Sequence, residues 1–152
     1  MSQFQDFLDE ARRIVTATWR DARLGEITFR PRGETAQTVA DLSTWSIVFG
    51  LAKGRVVLPL EQGRFGAPLQ LDGMLVGDIF LDAPIAKSIN DAFAIVRAAG
   101  HQEPMTRVVL RHVMNLGPSG SPEPTYIFDR KGVQLPLVVG AETGKLTEPA
   151  AG

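Results

Sequence analysis

The chain contains no cysteine. Disulfides, thiolate nucleophiles and cysteine-held metal sites are therefore excluded. Its two histidines, His101 and His112, are too few to build a zinc site without cysteine. No run of Lys and Arg occurs, and 16 basic residues stand against 17 acidic ones for a net charge of −1. That removes the electrostatic ground for nucleic-acid binding, which needs a basic surface. No stretch approaches the roughly 18 apolar residues that span a bilayer, so no membrane segment is expected. The amino terminus, MSQFQDFLDEARR, carries early acids and no apolar core. It does not read as a secretion signal, and the expected location is cytoplasmic. Gly-x-Ser-x-Gly, the Walker loop and the dinucleotide fingerprint are all missing. Gly50-Leu51-Ala52-Lys53-Gly54 has the look of a phosphate loop, but it joins two strands and leads into no helix. Asp72 and Asp78, beside Gly73 and Gly77, lack the dense acids of a calcium loop and read as turn residues. No catalytic, cofactor-binding or metal-binding residue is assigned, and no cofactor is expected.

What is present is the composition of a soluble globular chain: 152 residues, 44% apolar and 22% charged. Phe4, Phe7, Leu8, Ala11, Ile14, Val15, Thr18 and Trp19 recur every three or four residues, which predicts an amphipathic helix. Ser2 and Gln5 suit a capping box, early Asp6, Asp9 and Glu10 and late Arg20 and Arg23 suit the dipole, and Gly25 is the expected stop. Alternating segments at 26–32, 44–51 and 55–62 predict three strands, the last two joined at Ala52-Lys53-Gly54. The polar stretch 33–43 reads as a loop or a short helical turn. A second helix is predicted around Ile85, Ile89, Ala92, Phe93 and Val96, with Asp82 near its cap, Pro84 in its first turn and Gly100 at its end. Strands at 106–114, 124–130 and 132–140 follow, with a flexible loop at 117–123 and a hairpin over Lys131-Gly132.

The order is thus α-β-β-β, twice. Thr44-Trp45 falls on Thr125-Tyr126, and Ile27 on Val108, each 81 residues apart. Leu58-Pro59-Leu60 falls on Leu135-Pro136-Leu137 at 77. Proline donates nothing to a β-ladder, so each third strand is expected to turn that position to an edge or a bulge. The fold class is α+β: two tandem α-β-β-β units forming an antiparallel sheet, with both helices on one face. The units span 1–66 and 84–146, joined by an apolar connector at 67–83 and followed by a flexible tail at 147–152, in one compact domain. The connector holds Leu69, Leu71, Met74, Leu75, Val76, Ile79, Phe80 and Leu81. A plain linker is polar, so these residues pack into the shared core, add a short strand, or cover a partner surface.

The carboxy-terminal half follows a known pattern: a helix, a strand, the aromatic-bearing strand PTYIFDR, then a hairpin into VVGAETGKL. This resembles the PepSY and PepSY-like domains of bacteria over residues 84–146. Ala141, Thr143, Gly144 and Lys145 match the closing motif, while its acidic position holds Gly140. The resemblance implies an α-β-β-β unit, often in tandem, and a binding or inhibitory role in place of catalysis. It also implies export, at odds with the amino terminus.

His112 shares a strand face with Leu110 and Met114 and reads as a core or interface residue. His101, just after Gly100, suits a helix carboxyl terminus. Trp45 and Tyr126 at matched positions are either aromatic contact anchors or core. Arg107, Arg111, Thr125 and Asp129 are expected on the outer sheet face. The candidate partner contacts are therefore Trp45, Tyr126, Leu75, Phe80, Arg107 and Arg111. The expected function is a non-catalytic bacterial protein-binding module, of inhibitor, chaperone or immunity type. The alternatives are a small-molecule binder or enzyme with a cavity between sheet and helices, and a self-assembling subunit.

Overall fold

The computed structural model describes residues 3–73, 78–81, 84–113 and 123–148. The fold is α+β, with two helices and a large antiparallel sheet. Helix α1 (Gln3–Thr16) forms where the apolar stripe predicts it and buries Phe4, Leu8, Ala11 and Val15. Phe4, Leu8 and Val15 each contribute about 1.5–3 kcal/mol of burial energy. The helix ends earlier than its stripe. The Thr18 and Trp19 amides still return to the Val15 carbonyl, but Trp19 lies in the closing turn. Arg20 and Arg23 are therefore outside the helix, and Gly25 does not stop it. Gly25 instead sits inside β1 (Arg23–Arg30), at the register shift between Leu24 and Glu26. Its lack of a side chain suits a bulge. Ser2, offered as the cap, lies outside the described residues.

Strands β2 (Thr44–Gly50) and β3 (Arg55–Glu61) form the expected hairpin, with Gly54 at φ 84° in its turn. The loop before β2 contains one 3-10 turn, Val39–Asp41. Two short strands, β4 (Arg64–Phe65) and β5 (Leu69–Leu71), pair with opposite ends of β3. Pro59 falls in the gap between them, and its carbonyl accepts the Gly66 amide at 2.8 Å. Within a strand residue the carbonyl and the nitrogen face the same edge. The nitrogen that carries no proton therefore points away from β2, where no ladder bond is lost.

Strand β6 (Asp78–Ile79) pairs with the end of β7 (Met105–Val113). Helix α2 (Ile89–Ala98) starts later than predicted. Its cap is Ser88, whose hydroxyl accepts the Asp91 amide while the Asp91 carboxylate accepts the Ser88 amide. Pro84 and Ile85 precede the helix, and Asp82 lies outside the described residues. Gly100, at φ 97°, closes the helix as predicted. Strand β8 (Thr125–Arg130) matches its predicted segment, but β9 (Leu137–Gly140) is shorter than expected. Strand β10 (Leu146–Thr147) pairs with β9.

The main strand order is β10-β9-β8-β7-β1-β2-β3-β4. The two longest runs of strand meet at β1 and β7, where Ile27 pairs with Leu110, Thr28 with Val109 and Phe29 with Val108. Antiparallel partners share a face. Ile27, Phe29, Trp45, Ile47, Leu58, Leu60, Val108, Leu110, Tyr126, Phe128, Leu137 and Val139 therefore line one side. All are buried, and they join the inward residues of α1 and α2 in one cluster. The two Leu-Pro-Leu segments are not in equivalent places. Pro59 lies inside β3, whereas Pro136 precedes β9. The register sets Leu58 opposite Ile47, whereas Leu137, and not Leu135, lies opposite Phe128.

Candidate functional site

A groove lies beside α1. Its floor is Phe4, Phe7, Val39, Trp45 and Leu60, and its rim is the amides of Gln3, Gln62 and Asn90. Among the described residues no charged side chain lines it, and its volume is about 410 Å³. The floor is rigid. The Phe7 and Trp45 rings meet edge to face at 5.5 Å, and Trp45 meets Phe29 at 4.8 Å. The Trp45 indole donates to the Leu42 carbonyl at 2.8 Å, so its polar atom is satisfied and its ring is left as an apolar surface. A second, polar hollow of about 370 Å³ continues from the groove past Ser43 and Gln62 to Arg32 and Asp41. The Asp41 carboxylate accepts the Gln37 and Thr38 amides, which hold it below the usual range of its type. Gln62 sits at φ 51° and Gly63 at φ 79°, the two left-handed residues of a tight hairpin.

The smaller cavity, about 100 Å³, lies by the start of β8 and is lined by Phe80, Pro84, Ile85, His112, Pro124 and Glu142. Beside it is a polar cluster centred on Glu123. Glu123 is 9% exposed, and its carboxylate accepts the Glu142 amide (2.8 Å), the Thr143 amide (2.9 Å) and the Thr143 hydroxyl (2.8 Å). Burial alone would raise its pKa. The Thr143 and Glu142 hydrogen bonds and the nearby His112 outweigh that and hold it below the usual glutamate range. Gly140 makes room for this carboxylate: a Cβ there would stand 2.4 Å from the Glu123 Oε1. An acid at position 140 is thus incompatible with Glu123 as placed.

The predicted contact residues are scattered. Tyr126 is fully buried, and its hydroxyl donates to the Lys87 carbonyl at 2.7 Å, so it is a core residue and not an exposed anchor. Burial, reinforced by Asp91, pushes its phenol pKa upward. Trp45 is 8% exposed and offers only the groove floor. Phe80 is half-buried under the Arg23 guanidinium, 4.3 Å from its ring centre. Leu75 lies outside the described residues. Arg107 is on the outer face, paired with Asp129 at 2.9 Å. Arg111 is half-buried on that face, opposite Glu26 and Thr125. Of the five that are described, Trp45 and Tyr126 are linked through the ring of Phe29, and the others lie apart from them.

The connector splits its roles. Leu81 is buried, donates to Leu24 and accepts from Arg12, while Leu69 on β5 is 57% exposed. His112 lines the small cavity. His101 does more than follow a helix: its Nε2 is 2.6 Å from Glu148, and its Nδ1 is 3.5 Å from the Arg130 guanidinium. Sequence reasoning missed the groove, whose residues come from four separate segments. It also missed Glu123, which was assigned to a flexible loop.

No protein-family profile matches the chain, and no curated protein matches it. Among solved structures, the chain is similar to one described as a "putative lipoprotein" from Clostridium difficile. The TM-score is 0.63 at 10% identity, over 93% of this chain and 90% of that one. That likeness is one of fold. It also overturns the expected cytoplasmic location, because the fold occurs in a protein described as a lipoprotein. Among the described residues no helix is long and apolar enough to cross a membrane.

Proposed function

We propose that the chain is a non-catalytic protein-binding module built from two related α-β-β-β units, with the groove beside Trp45 as its contact site. The observation that carries the reading is the groove itself: an aromatic floor held rigid from below, rimmed by side-chain amides that both donate and accept. Amides of that kind complement a polypeptide backbone. The register supports two related units. Phe29 pairs with Trp45, and Leu110 pairs with Tyr126, each 81 residues further on. Across the centre, Ile27 meets Leu110 and Val108 meets Phe29, the exchanged pairing that a two-fold axis produces. The buried helix residues Leu8, Ala11 and Val15 recur as Ile89, Ala92 and Val96 at the same spacing. Both helices are read as covering one face, since Phe4 meets Phe29 and Phe93 meets Phe128. These features fit the PepSY-like resemblance. The lipoprotein description of the structural neighbour supports a location outside the cytoplasm.

A second reading, a small-molecule site, is favoured by the groove volume, which falls within the range of ligand pockets. Cross-linked capture from native extract, comparing the protein with its Val39→Glu form, tests the first. A stoichiometric partner lost on Val39→Glu is expected. No partner, together with a thermal shift on a metabolite panel, would replace it with the second.

A further inference from the structure

The inference here rests on the reading of two related units and names what the groove receives. The groove and the small cavity occupy corresponding places. Gln3, Phe4 and Ser43 line the first, and Pro84, Ile85 and Pro124, each 81 residues on, line the second. The turns beneath them also correspond. The Gln62 amide donates to the Ser43 carbonyl at 2.9 Å, and the Ala141 amide donates to the Pro124 carbonyl at 2.7 Å. Thr44 pairs with Glu61 as Thr125 pairs with Gly140, which sets Gln62 against Ala141.

One place is open and the other nearly shut, and the cause is the conformation of five residues. Residues 3–7 are wound into the first turns of α1, whereas 84–88 precede the Ser88-capped α2 and are not helical. Five helical residues advance about 7.5 Å, but the same number extended can reach about 16 Å. The unwound segment therefore lies across its turn. The Lys87 amide donates to the Ala141 carbonyl at 2.7 Å, and the Lys87 carbonyl accepts the Tyr126 hydroxyl. In the amino-terminal half the helical turn is too short to do this. Among the described residues no donor meets the Gln62 carbonyl. The carboxy-terminal half thus displays, in its own chain, the kind of group that fits this place.

We propose that the groove binds an extended polypeptide segment of a partner. A backbone N–H of that segment donates to the Gln62 carbonyl, as Lys87 does to Ala141, and an apolar side chain rests on Phe7, Val39 and Trp45. The uncharged lining selects an uncharged buried side chain, since an unpaired charge in such a floor is costly.

The test uses the acetylated, amidated pentapeptide Pro-Ile-Ala-Lys-Ser, the sequence of residues 84–88, added to ¹⁵N-labelled full-length protein. Saturable shifts of the Val39, Gln62 and Gly63 amides and the Trp45 indole are expected, with affinity at least ~10-fold weaker in the Val39→Glu protein, a loss of about 1.4 kcal/mol. Asn90→Glu, at an exposed rim position, repeats the comparison if Val39→Glu fails to fold. Unmoved groove resonances at millimolar peptide, or equal shifts in wild type and variant, overturn the proposal. A captured partner that remains bound to the folded Val39→Glu protein also overturns it, leaving a protein-binding module whose contact site lies elsewhere. Groove shifts without any captured partner sustain the peptide site and count against the module reading.

Discussion

The amino-terminal and carboxy-terminal halves of the chain close by different chemistry. The amino-terminal half closes with aromatic rings: Phe4, Phe7, Phe29, Trp45 and Phe65 form a chain of contacts between 4.8 and 6.4 Å. The carboxy-terminal half closes with ions. Arg130, 9% exposed, donates to Glu103 at 3.0 Å and to the Leu135 carbonyl at 3.2 Å. Arg97 bonds the His101 and Glu103 carbonyls and stacks on Phe93. Glu123 ties the 142–143 backbone to the entry of β8. The groove lies beside the aromatic chain, and the small cavity lies beside the Glu123 bonds.

The comparison breaks first at the shared core. Phe29→Ala should cost about 3–5 kcal/mol, because its ring touches residues of both halves. Urea unfolding should remain a single transition, and two separated transitions would show the halves to be independent. Next, Glu123→Ala should cost about 2–3 kcal/mol through the loss of charged hydrogen bonds. The Glu123 pKa is depressed in the folded state, so its stabilisation is present above the ordinary glutamate range and fades as pH falls through the lower folded value. The gap between wild type and Glu123→Gln should therefore narrow in acid, as measured by denaturation at several pH values. A gap that widens in acid would assign Glu123 another role.

Tyr126→Phe should cost about 1 kcal/mol, since it frees the Lys87 carbonyl, while Trp45→Phe should alter peptide shifts more than stability. Equal effects of the two on groove resonances would erase the distinction between the open and the filled place. The smallest effect is expected at the hairpin turn. Gln62→Asn gives the Asn-Gly pair that left-handed two-residue turns prefer and should stabilise by about 0.5 kcal/mol. Thermal melting reads it, and a destabilisation would mean that the Gln62 side chain itself supports the groove.

Most elements were legible in the sequence because their signals are local. The stripe from Phe4 to Val15, the alternation in β2 and β3 and the glycine turns at Gly54 and Gly100 all lie within a few residues of the structure they cause. The errors came where distant groups decide. The helix-like stripe runs on to Trp19, but the helix ends at Thr16 and Trp19 packs against the core from a turn. Pro84 suited a helix start, yet the segment instead bonds to the 141 turn, and Ser88 with Asp91 sets the start. Leu-Pro-Leu matched by spelling but not by place, because hairpin lengths shift the third strands relative to one another.

By itself, the sequence determined the α+β class, the two helices, the six longer strands and which faces are apolar, since periodicity and turn chemistry act over a few residues. Tertiary structure alone decided that β1 pairs with β7, that Tyr126 is buried while Trp45 floors a groove, and that Glu123 sits over Gly140. Those outcomes depend on which remote strand supplies a partner and on whether five residues are wound or extended. Long-range pairing and the space it leaves are properties of the assembled core, and no short stretch of residues carries them.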